Sequence, residues 1–211
     1  MSLQYYLYIS DAKIDMLLQQ IDPGFARKRV SEVGVSLKFI SAKRTVEDPG
    51  SERVARLERV VRYVDDFCDV GTVDEPGQYV RGRLPMRWGP LGTSYVVYFA
   101  GGTERTTVGL GGSSGHVLSA AEKDSGTFAP STVPGIIQGL APALGEDGDA
   151  AVAASALAAT HLASRQLRGA EQEVEFLAKR LLAGPSPYPE LDAHEDMTVL
   201  LGSPLFVALA D

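Results

Sequence analysis

Residues 111–116, Gly-Gly-Ser-Ser-Gly-His, hold the densest set of groups able to do chemistry. Gly111-Gly112-Ser113-Ser114-Gly115 matches G-x-S-x-G, in which a sharp strand-to-helix turn lifts a serine hydroxyl towards a base. In that reading Ser113 is the nucleophile of a serine hydrolase, with His161 or His194 as base. Asp147 or Asp149 would supply the acid in the required chain order. The segment 117–123 offers barely two turns of helix, and the alternation of strands and helices expected of such hydrolases is missing. A milder chemistry is also open to this glycine-rich loop. Successive backbone N–H groups of Gly111, Gly112, Ser113 and Ser114 could nest a phosphate or carboxylate, with His116 alongside. No Gly-Lys-Ser/Thr follows as a phosphate loop requires, and the G-x-G-x-x-G context of a dinucleotide site is absent. A glycine-rich turn between strands is the simplest alternative.

Tyr79-Val80-Arg81-Gly82-Arg83-Leu84-Pro85-Met86-Arg87-Trp88-Gly89 is the second suspect. Arg81, Arg83 and Arg87 recur on one side of an extended segment, and guanidinium forks suit phosphates and carboxylates. Trp88, the one tryptophan of the chain, offers a stacking plane. An exposed sheet face of ordinary charges explains the same residues. A third polar segment, Ser10-Asp11-Ala12-Lys13-Ile14-Asp15, lies at a strand-to-helix junction, where helix capping accounts for Ser10 and Asp11.

Other chemistries are demoted by count and spacing. Cys68 stands alone, which rules out an internal disulfide framework and a cysteine-based zinc site. His116, His161 and His194 lack the H-E-x-x-H arrangement, so no metal and no cofactor is implied. A net charge of −7 over 211 residues argues against a nucleic-acid binder. The charge is uneven: residues 27–62 carry ten Lys/Arg against five acids, and 65–75 carry only acids. No apolar run approaches 18 residues, so no membrane span is expected. The opening residues lack a signal-peptide pattern, and the expected location is cytoplasmic.

The elements that position these groups follow from periodicity. Residues 4–9 alternate as a strand, and Ile14, Leu17, Leu18 and Ile21 then fall at helical spacing. A second strand is expected over 33–39. Val54, Leu57, Val60, Val61, Val64, Phe67 and Cys68 form one apolar stripe, predicting an amphipathic helix over about 51–70. Strands are expected at 79–84, 95–100 and 105–110, the last two as a hairpin around 101–104. A loop over 120–132 and a short helix over 133–144 precede a long helix over about 150–182, whose Ala-rich start could face the core or a second copy. After a proline-rich connector, a hairpin of 197–201 and 205–209 around Gly202-Ser203-Pro204 closes the chain.

Two stretches, Tyr6-Leu7-Tyr8-Ile9-Ser10-Asp11-Ala12-Lys13 and Leu110-Gly111-Gly112-Ser113 with His116-Val117-Leu118, resemble a family of uncharacterised actinobacterial proteins defined as a domain of unknown function. The resemblance covers roughly the first 120 residues and implies no activity. The preference for Arg over Lys, with abundant Ala and Gly, is in keeping with a GC-rich genome.

Together these features predict a single α+β domain over 1–211. It has a mostly antiparallel sheet, packed by the helix at about 51–70 and the long helix at about 150–182. The expected function is a non-catalytic cytoplasmic binding or regulatory module. Gly111, Gly112, Ser113, Ser114, His116, Arg81, Arg83, Arg87 and Trp88 would hold a small anionic ligand or a protein partner. A Ser113 hydrolase and a structural subunit of a homo-oligomer are the alternatives.

Overall fold

The computed structural model describes residues 4–22, 49–90, 96–118 and 156–210. The expected strand at 33–39, loop at 120–132 and helix at 133–144 lie outside them, as do Asp147, Asp149 and the start of the expected long helix. Within the described residues run β1 (Tyr5–Ile9), α1 (Asp11–Ile21), α2 (Pro49–Phe67), β2 (Val70–Gly71), β3 (Tyr79–Pro90), β4 (Val96–Gly102) and β5 (Thr106–Ser113). A 3-10 turn at Ser114–His116 follows, then α3 (Ala156–Gln166), β6 (Gln172–Pro185) and β7 (Thr198–Leu209). The chain divides into two compact units, Met1–Ser10 with Asp69–Asp211, and Asp11–Cys68.

The larger unit is a closed barrel. β3 pairs antiparallel with β4, and β4 with β5. β5 runs parallel to β7, and β7 is antiparallel to β6. β6 then returns antiparallel to β3 and shuts the ring of five strands. β1 adds to β7 beyond the end of β5. Numbered within the ring, the order is 1-2-3-5-4, with a parallel third and fifth strand and a helix between the third and fourth. That is the connectivity of an OB-type Greek-key barrel.

Alternation fills its interior. Val80, Leu84 and Met86 of β3 meet Val97 and Phe99 of β4, Val108 and Leu110 of β5, Val174, Phe176 and Ala178 of β6, and Leu200 and Val207 of β7. A five-stranded ring is narrow enough for such side chains to close it. Each large one is worth about 1.5–3 kcal/mol on burial. The opposite faces of β4 and β7 take α3. Ala159, Ala163 and Leu167 lie on Tyr98, Ala100 and Leu201, and the small alanines permit close approach. Tyr98 donates its hydroxyl to Thr160 O at 3.2 Å, and burial pushes its phenol well above the usual range. Gly109 lies beneath that hydroxyl, where any side chain would collide with it.

This barrel overturns the expected sheet packed by a long C-terminal helix. The helix ends at Gln166, and Gly169 at φ 124° turns the chain out of helical geometry. Residues 172–185 then form a strand, because burying Val174, Phe176 and Ala178 inside the barrel outweighs the helix propensity of Glu, Leu, Lys and Arg around them. The described part of the Ala-rich stretch packs on the barrel exterior through Ala156, Ala159 and Ala163. The expected closing hairpin is also corrected: β7 runs unbroken through Gly202-Ser203-Pro204. Pro204 is tolerated because β5 pairs only as far as Gly202 and β1 begins at Phe206. A register shift opposite Leu177 and Ala178 falls at the same place.

In the smaller unit, α1 buries Ile14 and Leu18, and α2 buries Leu57, Val60 and Val64. Asp11 accepts from Arg53 Nε at 2.8 Å, Asp15 from Arg56 at 2.6 Å and Asp22 from Arg59 at 3.1 Å. Two acids of α1 and Asp22 just past its end thus meet successive arginines of α2. Phe67, expected on the buried stripe, is 73% exposed. Among the described residues no helix is long and apolar enough to cross a membrane.

Candidate functional site

β3 and β6 lie side by side with Arg83 opposite Glu175, so outward residues of the two strands form one stripe. Arg81 reaches Glu175 at 3.3 Å, Arg83 reaches Glu173 at 3.6 Å and Arg87 reaches Glu171 at 3.0 Å. The stripe is of mixed sign, and each guanidinium already faces a carboxylate. Such half-exposed pairs contribute little to stability. Trp88 donates Nε1–H to Gln172 Oε1 at 2.8 Å and stacks on Phe99 at 5.7 Å. One face of its ring is therefore committed to the barrel.

The expected glycine-rich loop is mostly strand. Gly111, Gly112 and Ser113 are in register with Tyr98, Val97 and Val96. An extended strand sends successive N–H groups to opposite edges, whereas an anion nest needs them to converge. Ser113 has φ −70° and ψ 131°, ordinary extended backbone rather than a strained elbow, and the 3-10 turn that begins at Ser114 stands where a helix is required. His116 is buried against Tyr8, with the Tyr8 hydroxyl 3.4 Å from its Nδ1 and the rings edge to face at 5.8 Å. A side chain on Gly112 would collide with that same hydroxyl. Packing around Tyr8 thus accounts for a glycine there.

β4 separates the two suspected segments. Trp88 pairs with Phe99 and Phe99 with Leu110, while Gly89, Tyr98 and Gly111 form the next row. Trp88 and Gly111 therefore reach the same end of the barrel, about 10 Å apart as next-but-one strands. The arginines turn to glutamates on the other neighbour of β3.

Two polar constellations escaped the reading from sequence. Asp74 Oδ1 accepts from Thr103 Oγ1 at 2.6 Å and Thr106 Oγ1 at 2.8 Å, and Thr106 meets Thr198 at 2.9 Å. The Thr103 hydroxyl, then that of Thr106, with Arg105 nearby, hold the Asp74 carboxyl below its ordinary value against the opposing effect of burial. The other joins His161 Nε2 to Asp192 Oδ1 at 2.8 Å, with Tyr188 tilted against the imidazole at 5.5 Å. Neither partnership is written in a local spacing. At the third suspected segment, Ser10 N–H donates to Leu205 O at 2.9 Å, and the Asp11 and Asp15 carboxylates are taken by arginines. Lys13 between them has its pKa lowered to about 7 by burial. Among the described residues, no group of three or more His, Cys, Asp or Glu could hold a metal ion.

The smaller unit carries an open groove of about 250 Å³, lined by Asp22, Arg59, Arg62, Tyr63, Asp66 and Phe67 among others. Phe67 is 73% and Tyr63 40% exposed. Their rings lie 4.9 Å apart, one helical turn from each other. Apolar rings ringed by both signs of charge can seat another chain's side chains.

No curated protein and no solved structure matches this chain. The profile of a family of unknown function, DUF7019, matches residues 4–211, and the chain belongs to that family.

Proposed function

We propose that this chain is a non-catalytic binding module whose partner is a protein, engaged through the Tyr63–Phe67 face of α2. One observation carries the proposal: two adjacent aromatic rings face solvent although the buried stripe of α2 is complete without them. Exposed aromatics beside arginines are the anchors that protein interfaces favour. Arg59, Arg62, Asp22 and Asp66 around the groove would set orientation and partner choice rather than raw affinity.

A small anion held by Arg81, Arg83, Arg87 and Trp88 with Gly111, Gly112, Ser113, Ser114 and His116 draws less support. The three guanidinium groups face glutamates, and the strand amides do not converge. The OB-type connectivity contributes nothing by itself, since one fold hosts unrelated functions. The module is taken to work in the cytoplasm, where a lone thiol such as Cys68 stays reduced.

The test compares the wild type with a Tyr63→Ala/Phe67→Ala variant in affinity capture from the native cell extract. A protein retained by the wild type and lost from the variant supports the assignment. Identical sets from both overturn it. A thermal-shift screen with phosphate, nucleotides and dicarboxylates runs beside it, and a stabilising anion whose effect disappears in Arg83→Ala would restore the small-ligand reading.

A further inference from the structure

Residues 186–197 join β6 to β7, and their ends meet where Ser186 N–H donates to Met197 O at 2.8 Å. A twelve-residue segment with touching ends is an Ω-loop, a compact unit that is frequently functional. Most of its residues are exposed. Three contacts bind it to α3. His161 Nε2 and Asp192 Oδ1 are 2.8 Å apart, Tyr188 packs on the His161 ring, and Arg165 donates to Leu191 O at 2.8 Å.

The central contact is sealed but incomplete. The side chains of His161 and Asp192 are only 2% and 3% exposed. Yet His161 Nδ1 and Asp192 Oδ2 are buried with no hydrogen-bond partner among the described residues. A buried polar atom without a partner has lost its hydration and received nothing in exchange. The closed loop therefore gains one good bond while leaving two polar atoms unmet, and opening returns both to water. The flanking strands have no such weakness: β6 and β7 pair along their length and bury Val174, Phe176, Leu200 and Val207 in the barrel.

We propose that residues 186–197 are a strap that opens as a unit while β6, β7 and α3 stay folded, with His161–Asp192 as its latch. Opening uncovers the imidazole of His161, the face of Tyr188 and the carboxylate of Asp192. They lie at the junction of the fourth and fifth barrel strands. The strap is independent of the α2 face and stands whether or not that face binds a protein.

The first test uses the wild-type chain. Diethyl pyrocarbonate modifies accessible imidazoles, and peptide mass spectrometry separates His161 from the exposed His194. Local opening predicts that His161, measured against a free imidazole at the same reagent concentration, is protected far less than the slowest-exchanging amides of β7. It also predicts that the rate hardly changes at low urea, because little surface is exposed. A His161 rate that rises with urea in parallel with global unfolding overturns the strap. The second test is Asp192→Ala, expected to speed His161 modification by roughly tenfold with β7 exchange unchanged. An unchanged His161 rate in that variant overturns the latch. The wild-type measurement stands by itself if the variant fails to fold.

Discussion

Gly82 on β3 lies directly under the ring of Phe176 on β6. A Cβ built there would fall against ring carbons of Phe176 and come within 3.0 Å of Val73 Cγ2. Gly82 and Phe176 are also register partners. A glycine on one strand thus makes room for the large ring of its neighbour inside a narrow barrel.

Gly82→Ala is therefore expected to cost about 1–3 kcal/mol through overpacking. Urea denaturation would show a lower midpoint with an unchanged slope. Combining it with Phe176→Leu should recover part of the loss, with a coupling of about 0.5–3 kcal/mol in a double-mutant cycle. Strict additivity would mean the two residues do not share that space.

Asp74 makes the barrel acid-sensitive in a defined direction. Its folded pKa is depressed from 3.8, chiefly by the Thr103 hydroxyl. The stability it contributes is present above the unfolded value and is lost as pH falls through the folded one. The carboxylate is part-buried and still meets solvent, so the contribution is about 1 kcal/mol or less. Asp74→Asn should flatten the fall of the urea midpoint as pH drops through and below the ordinary aspartate value of 3.8, relative to wild type at matched ionic strength.

Lys13 acts in the opposite part of the pH scale. Burial lowers its pKa from 10.5 to about 7. Between those values the unfolded chain holds a proton that the folded chain has released, so stability rises with pH across that window. The slope is at most about 1.4 kcal/mol per pH unit, reduced by whatever water still reaches the amine. Lys13→Met should remove it and stabilise the protein at pH 6. Titration of the 13C-labelled lysine side chains by NMR reads the pKa directly.

Gly169 is required for its backbone alone. At φ 124° it has open space around the position of a Cβ, so a side chain there meets strain and no clash. Gly169→Ala is expected to cost about 1–2 kcal/mol, and Gly169→Asn less, because asparagine tolerates positive φ better. Thermal unfolding of the two variants gives the order.

Much of the local structure was legible in the residues. Ile14 and Leu18, and Leu57, Val60 and Val64, are buried where helical spacing puts them. The alternation of 79–84 and the 95–110 hairpin correspond to β3, β4 and β5. The stretch 172–182 reads as helix because Glu, Leu, Ala, Lys and Arg favour one, yet it folds as β6. The contrary signals were Gly169 and the two-residue alternation of Glu173, Val174, Glu175 and Phe176. Pro204 reads as a turn residue yet lies inside β7, because a sequence does not say which edge of a strand is unpaired at that residue.

The chain by itself determined its periodicities, its excess of acid, its single thiol and the absence of a recognisable metal or phosphate motif. These depend on residue type and near spacing, which act along the backbone. Ring closure was decided only in three dimensions, because it rests on β6 meeting β3 and on β5 lying parallel to β7, contacts between residues some 90 positions apart. Tertiary structure likewise placed a glutamate beside each of Arg81, Arg83 and Arg87, sealed His161 against Asp192, and left Phe67 in water. Charge and burial belong to neighbours in space, and in this barrel those neighbours are remote in the chain.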